Sequence, residues 1–274
     1  MSYDVLVIGG GPAGLSASIN VRARGRSALV VSNPLEENPL WRAEKVDNYL
    51  GLPGVTGTEL LEQFRRHAEE LGADFVLGRV ISLMAWNGFH LTVGSEIYEG
   101  ETLILAPGVV RQAKYPGETE YLGRGVSYCA TCDGMLYRGK PVAVVGYTDT
   151  ARQEAEFLQK IGCSVTYFDR PKQCEIRGDG RVESVTCDGR TIPAEGVFIL
   201  RPTMAPTELF PGLAVEQGYV TVDRRMATNL PGLFAAGDCT GGPLQVSKAA
   251  GDGLIAGQSA AAWAAAQERR EKQS

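Results

Sequence analysis

The stretch that most limits what this chain can become lies at its start. Asp4–Ile8 holds the apolar run Val-Leu-Val-Ile, and Gly9-Gly10-Gly11-Pro12-Ala13-Gly14 follows it directly. A helical pattern then runs from Leu15 to about Arg24, Gly25-Arg26 closes it, and Ser27–Val31 is apolar again. Short continuous apolar runs read as parallel strands buried on both faces. The order is therefore strand, glycine turn, helix, strand, which is the setting in which G-x-G-x-x-G binds a dinucleotide. Gly9 permits the tight turn, Gly11 lets backbone approach a pyrophosphate, and Gly14 lets the helix pack on the strand. The helix N-terminus offers its free N–H groups to the phosphates. The second strand of such a unit ordinarily ends in an acid for the ribose hydroxyls. Here Ser32-Asn33 stands in that place and can hydrogen-bond without the charge.

The second informative stretch is Cys129-Ala130-Thr131-Cys132-Asp133-Gly134. Two cysteines so spaced can close a disulfide that opens easily by exchange, and Asp133 beside them can donate a proton. A C-x-x-C is also half of a zinc site, but that needs a second pair or suitably spaced histidines. Cys163, Cys174, Cys187 and Cys239 form no second pair, and His67 and His90 are far apart. The redox reading is preferred, with no metal expected. The other four cysteines read as small hydrophobes or surface thiols, and the two histidines as surface or packing residues. The 274 residues are 44% hydrophobic and 22% charged, the balance of a soluble globular protein. A net charge of −5 argues against nucleic acid as the main partner. Strand-like sequence begins at Tyr3, so no signal peptide is expected. No apolar run approaches the ~20 residues that cross a membrane. A cytoplasmic, reducing location is the expectation, and there a C-x-x-C works in catalysis more often than in structure.

Between these stretches, Pro34–Thr58 reads as a long loop and Thr58–Leu71 as a helix that Thr58 could cap, with Leu60, Leu61, Phe64, Ala68 and Leu71 on one face. Asp74–Gly78, Val80–Met84, Gly88–Val93 and Glu96–Tyr98 read as a meander, and Thr102–Leu105 as a further strand before Ala106-Pro107-Gly108. After the cysteines, Pro141–Val145, the helix Arg152–Ile161 and Cys163–Phe168 make one more βαβ unit. A second parallel crossover would need a dozen or more residues. Instead Glu175–Arg177 and Val182–Thr186 follow at once with hairpin turns, and Val197–Leu200 is the next apolar strand. Tyr219–Val222, Ala227–Asn229 and Leu233–Ala235 read as strands, and Gln245–Ala262 as a helix. Disorder is expected only over Gln267–Ser274.

Taken together, the chain resembles the low-molecular-weight, flavin-containing thioredoxin reductases over nearly its whole length. The residues that carry the resemblance are Gly9-x-Gly11-x-x-Gly14, Asp47-Asn48 before Gly51, Ala106-Pro107-Gly108, the hexapeptide Cys129–Gly134, and Thr228-Asn229-Leu230-Pro231-Gly232-Leu233-Phe234-Ala235-Ala236-Gly237-Asp238. The resemblance implies an α/β, two-domain flavoprotein disulfide reductase. Its Rossmann-like FAD domain would be built from residues 1–113 and 209–274, with a truncated NAD(P)-type redox domain inserted at 114–208. It implies FAD held around Gly9, Gly11, Pro12, Ala13, Gly14, Ser32, Asn33, Asn48, Ala106, Gly108, Gly237, Asp238, Gln245 and Val246. The pyrophosphate would lie on the glycine loop, Asn48 and Gln245 by the flavin, and Asp238 on the ribityl chain. It implies Cys132 facing the flavin, Cys129 attacking thioredoxin, Asp133 as acid and base, a redox domain that swings on linkers near Arg111–Lys114 and Pro206–Pro211, and a homodimer.

One departure bears on the electron donor. Members that use NADPH carry a second glycine fingerprint and a basic run for the 2′-phosphate. Here these read Gly146-x-Thr148-x-x-Ala151 and Asp169-Arg170-Pro171-Lys172. A side chain at Thr148 obstructs a pyrophosphate, Asp169 repels a 2′-phosphate, and the second crossover is missing. These losses match the ferredoxin-dependent flavin thioredoxin reductases, so ferredoxin is the expected donor, with a deazaflavin or flavodoxin as alternatives. Arg111, Lys114, Arg124, Arg138 and Lys140 could form its docking patch or be scattered solvated charges. The remaining alternatives are an NADPH enzyme with a shortened site, a dithiol oxidase, and a flavin redox sensor without turnover.

Overall fold

The computed structural model describes residues 2–108, 114–147, 150–201 and 209–271. The chain forms two compact units, Met1–Val110 with Ala205–Ser274, and Arg111–Met204. Thr148, Arg111 and parts of both expected linkers lie outside the described residues. In the first unit the chain runs through β1 (Ser2–Ile8), α1 (Pro12–Arg22), β2 (Ala28–Ser32), α2 (Gly57–Glu70), β3 (Asp74–Leu77), β4 (Val80–Ala85), β5 (Phe89–Val93) and β6 (Glu96–Leu105). The second unit holds β7 (Val126–Ser127), α3 (Ala130–Asp133), β8 (Pro141–Gly146), α4 (Thr150–Lys160), β9 (Ser164–Asp169), β10 (Cys174–Gly178), β11 (Val182–Cys187), β12 (Arg190–Pro193) and β13 (Gly196–Leu200). The chain then returns to the first unit with β14 (Val215–Glu216), β15 (Tyr219–Val220), β16 (Leu233–Ala235) and α5 (Val246–Glu271).

The first unit is built on a seven-stranded sheet in the order β3-β2-β1-β6-β5-β4, with β16 also on β6. β1, β2, β3, β6 and β16 are parallel, while β4 and β5 add an antiparallel edge. The sequence reads β6 as two short strands, but it is one strand of ten residues. Its first half pairs with β5 and its second half with β16, while β1 runs along the other side. Gly100 sits at the change of partner because a Cβ there would lie 2.6 Å from Leu6 Cγ. Helices α1 and α5 cover one face with small residues, Ala13, Ala17, Ala249, Ala256 and Ala260. A Cβ on Gly253 or Gly257 of α5 would fall 2.1 or 2.4 Å from the carbonyl oxygens of Ala13 and Ala17, so the two backbones touch. α5 continues to Glu271, into the stretch Gln267–Ser274 expected to be disordered, and Arg26 reaches across to Glu268 at 2.7 Å.

Helix α2 packs Leu60, Leu61 and Ala68 inward and joins a cluster with Leu15 and Ala73. Its cap is Thr56 rather than Thr58. The Thr56 hydroxyl accepts the Glu59 N–H, and the Glu59 carboxylate accepts the Thr56 N–H, a reciprocal capping box. Thr58 instead donates to the Trp41 carbonyl, and Leu71, expected inside, is 40% exposed at the C-cap.

In the second unit, β7-β13-β8-β9 form a parallel sheet and β10-β11-β12 an antiparallel one. Alternation along β8 divides the core. Val142 and Val144 face Ala130, Ala151 and Leu158 of the helices, whereas Ala143 and Val145 face Ile176, Val182 and Val185 of the antiparallel sheet. The single βαβ unit followed by a meander is present. β7 and β12 escape the sequence reading because they are short. Asp188-Gly189, both at positive φ, make the tight turn into β12, as an Asp-Gly pair can. Among the described residues no helix is long and apolar enough to cross a membrane.

Replacing Thr56 by Ala removes the capping box and costs about 1 kcal/mol, which lowers Tm by about 2 °C for a chain of this size. Thermal melting of the variant checks this, with Thr58→Ala expected to shift Tm less.

Candidate functional site

Three neighbouring parallel strands, β1, β6 and β16, end side by side, and the loops that leave them meet. Ala106 N–H donates to the Ile8 carbonyl and Ala236 N–H to the Leu105 carbonyl, both at 2.8 Å. The glycine loop is shaped by this meeting. Gly9 has φ +114°, and a Cβ there would sit 2.1 Å from the Ala106 oxygen, a position no side chain can share. A Cβ on Gly14 would lie 1.9 Å from the Gly9 oxygen, so only glycine lets α1 start this close to β1. Gly11 is the N-cap of α1, with Pro12 at the first helical position, so Ala13 and Gly14 follow in the first turn, where backbone N–H groups have no helical acceptor. Near Gly11 the closest neighbour of a built Cβ is the Asn38 side-chain nitrogen at 3.1 Å. Ser32, at the end of β2, is 5% exposed, and its hydroxyl is buried without a hydrogen-bond partner. Asn33 follows it half-buried. Gly108, at φ +75°, ends the loop that Ala106 opens.

The loop after β16 carries Gly237 and Asp238. Asp238 Oδ1 is buried and unpartnered. Burial raises the Asp238 pKa above its ordinary value; Lys248 opposes this and Asp252 adds to it. Sequence reading missed both of these α5 residues, although their i, i+4 spacing on a helix was a usable signal. Lys248 Nζ donates to the Gly237 and Gly241 carbonyls, each at 2.8 Å, and lies 2.9 Å from Thr240 Oγ1 and 2.8 Å from Asp252. Asp252 accepts the Gly237 N–H at 3.1 Å. The pair holds the turn that presents Asp238. Asn48 Nδ2 donates to Gln245 Oε1 at 2.6 Å, which brings together two residues assigned to the same ring from opposite ends of the chain. Val246 opens α5 beside them. An open crevice at the carboxyl edge of a parallel sheet, with free helix N–H groups and two unsatisfied buried oxygens, suits the phosphates and hydroxyls of a dinucleotide.

In the second unit Cys129 and Cys132 are joined as a disulfide. Cys129 is the N-cap of α3, and its Sγ accepts the Cys132 N–H at 3.0 Å. That bond favours a thiolate on Cys129 once the disulfide opens. Cys132 is exposed, whereas Cys129 is 7% exposed. Asp133 is not alone: the buried Ser127 hydroxyl lies 2.7 Å from its Oδ2 and accepts the Cys129 N–H at 3.1 Å. Ser127 therefore ties the acid to the sulfur's own backbone. From α4, Glu154 accepts the Ala130 N–H at 3.4 Å. Neither Ser127 nor Glu154 stood out in the sequence, since a serine and a glutamate carry no pattern by themselves.

The remaining cysteines correct one expectation and meet another. Cys174 and Cys187 are bonded to each other; antiparallel pairing sets them opposite one another, which spacing alone did not reveal. Cys163 and Cys239 are free and buried, and burial pushes the Cys239 thiol up to about 12, so it is inert. His67 is exposed, and His90 Nε2 lies 2.9 Å from the Trp86 carbonyl. Among the described residues no cluster of three or more His, Cys, Asp or Glu could hold a metal. Of the cations considered for docking, Lys140 pairs with Glu195 at 3.3 Å and Arg124 donates to the Glu120 carbonyl.

A raised folded-state pKa means that Asp238 favours folding below the usual carboxylate range and loses that contribution as pH rises through its own pKa. In FAD-free protein Asp238→Asn should therefore raise Tm at pH 7, with the difference vanishing below about pH 4. The same variant should hold FAD roughly ten- to a hundredfold more weakly, the worth of a hydrogen bond to a charged group. Melting curves at the two pH values and a flavin-release titration check both.

The profile of the family "Pyridine nucleotide-disulphide oxidoreductase" matches residues 3–175 and 171–253. A thioredoxin reductase from Listeria innocua is 33% identical, over 94% of this chain and 92% of its own length. Among solved structures, a ferredoxin-flavin thioredoxin reductase from Clostridium acetobutylicum aligns with a TM-score of 0.89 at 38% identity, covering 95% of this chain and 97% of that one. A thioredoxin reductase from Gloeobacter violaceus aligns with a TM-score of 0.81 at 32% identity, covering 97% and 95%. Matches that run through both the dinucleotide crevice and the cysteine pair place the chain in the pyridine nucleotide-disulphide oxidoreductase family, among its thioredoxin reductases, as a FAD-binding flavoprotein.

Proposed function

We propose that this protein reduces the disulfide of thioredoxin and takes its electrons from ferredoxin rather than from NADPH. The glycine loop, Asp238 and the Asn48–Gln245 pair would hold FAD, which would supply the electrons for opening the Cys129–Cys132 bond. The residues of the chain do the rest. Opening the bond consumes two electrons and two protons, and Asp133, held by Ser127, passes protons at the sulfurs. Cys132 is the open sulfur of the oxidised pair, and Cys129 becomes the nucleophile once it is uncovered. The Cys129 thiolate attacks one sulfur of thioredoxin's disulfide. Cys132 then attacks Cys129 in the mixed disulfide, releasing dithiol thioredoxin and restoring the cystine. We extend the reading to a homodimer working in the cytoplasm.

The observation that carries the donor is the state of the carboxyl edge of β8, β9 and β13, where a dinucleotide would lie in such a sheet. A Cβ on Gly146, at the end of β8, would fall 2.2 Å from the Tyr167 hydroxyl, so a tyrosine already covers the turn. Asp169, at the end of β9, presents a carboxylate paired with Arg152 at 2.7 Å, an unfavourable neighbour for a 2′-phosphate. Beyond β13, Arg201 makes a bidentate pair with Glu118 at 2.5 and 2.7 Å, and the Tyr128 hydroxyl donates to the same fully buried carboxylate. Breaking such a pair costs roughly 3–5 kcal/mol, so Arg201 is not readily freed to hold a 2′-phosphate. The similarity to the Clostridium acetobutylicum ferredoxin-flavin enzyme supports the same donor.

Anaerobic titration of the flavin band tests the donor: reduced ferredoxin should bleach it, while NADPH and NADH at the same concentration leave it unchanged. Prompt bleaching by NADPH would refute the ferredoxin half and leave the thioredoxin half intact. Cys129→Ser and Cys132→Ser should each retain FAD yet lose thioredoxin reduction by a factor of a thousand or more, roughly the scale on which loss of a covalent nucleophile acts. Full turnover in either variant would remove the role given to the pair.

A further inference from the structure

The second unit contains a cystine that the redox cycle does not use. Cys174 opens β10, Cys187 closes β11, and the two stand directly opposite across the antiparallel pair. They are 5% and 1% exposed, enclosed by Phe168, Ile176, Val185 and Ile199. The chain around them is tied by polar contacts. The Asp188 carboxylate accepts the N–H groups of Lys172 and Gln173 at 3.0–3.1 Å, and the Asp188 N–H donates to the Gln173 carbonyl at 3.0 Å. The Pro171 carbonyl accepts the hydroxyls of Tyr115 and Tyr147 at 3.4 and 3.2 Å.

All these contacts act on residues 170–174. This segment leaves β9 and enters β10 directly, with no helix between. It crosses the carboxyl edge of the parallel sheet as a strap, and its residues 171–174, with Lys114, Tyr115, Tyr147 and Arg201, line a cavity of about 580 Å³. A strap of this kind has no internal ladder of hydrogen bonds to fix its path, and Arg170 begins it at φ +44°, a conformation that non-glycine residues seldom adopt.

We propose that Cys174–Cys187 is a structural staple that holds this strap in register, and that it stays oxidised while Cys129–Cys132 turns over. The bond closes a loop between residues thirteen apart in sequence, which removes freedom from the unfolded chain. Its inertness follows from access. Thiol–disulfide exchange needs a thiolate to reach a sulfur; Cys187 is 1% exposed and Cys174, on the cavity wall, 5%, whereas Cys132 is open. The two cystines of one unit are thus sorted by burial into a working pair and a fixed one. The inference does not depend on the identity of the electron donor.

Disulfide mapping on the full-length, FAD-loaded protein tests it. The native protein is incubated with dithiothreitol for graded times, quenched in acid, alkylated in denaturant and digested. Cys129 and Cys132 should be alkylated at the earliest time, while the Cys174–Cys187 peptide pair stays linked until denaturant is present during reduction. A protein in which both pairs open together, or in which Cys174 and Cys187 are thiols before reduction, would overturn the proposal. The double variant Cys174→Ala, Cys187→Ala gives a second readout. It should lower Tm by about 5 °C and speed hydrogen exchange over residues 170–176 and 186–190, with FAD content and the reduction rate of Cys129–Cys132 unchanged. Unaltered melting and exchange in that variant would equally overturn it.

Discussion

The first unit depends on how near the backbone at Gly9 comes to the carbonyl of Ala106. There is no space for a methyl group between them, and that closeness lets the loops leaving β1 and β6 share one crevice. The same device holds the layer above. The glycines of α5 lie on the carbonyls of α1, so a helix from the end of the chain fixes the helix whose N-terminus faces the crevice. Both contacts join segments more than ninety residues apart in the sequence. Dispersion and burial act along such contacts only while the backbones can touch, which is why small residues dominate the α1–α5 seam.

The carboxyl edges of the two parallel sheets differ in the side chains that line them. In the first unit, Ser32 and Asp238 present buried oxygens without protein partners. A buried polar group left in that condition is costly, and the cost is recovered when a ligand supplies donors. In the second unit the Glu118 carboxylate, the Arg201 guanidinium and the Pro171 carbonyl bond to one another's neighbours. Two sheets with related architecture thus present different polar groups at their edges. That difference comes from side chains rather than topology.

The sequence exposed features whose causes are local. Apolar runs beside glycines announced β1, α1 and β2, and the Asp188-Gly189 pair has the positive φ values that its tight turn requires. The C-x-x-C motif named its own chemistry because ring closure needs only adjacent residues. Features that depend on approach through space were harder to read. The cap of α2 is Thr56 and not the expected Thr58, because the reciprocal bond to Glu59 exists only once the helix start is fixed. β6 looked divided because its two halves serve different neighbours. Cys174 and Cys187 carried no pairing signal until strand register set them opposite one another. Ser127, Lys248 and Asp252 have ordinary identities and gained roles only through their distances to Asp133 and Gly237.

By itself the sequence determined the dinucleotide loop, the reactive pair, and the single βαβ unit followed directly by a meander, because each is written in residues adjacent along the chain. The tertiary structure alone decided which oxygens of the first crevice stay unsatisfied, which groups line the second, and how deeply each of the two cystines is buried. Those outcomes rest on burial and on contacts across long separations, and neither quantity exists until the chain has folded.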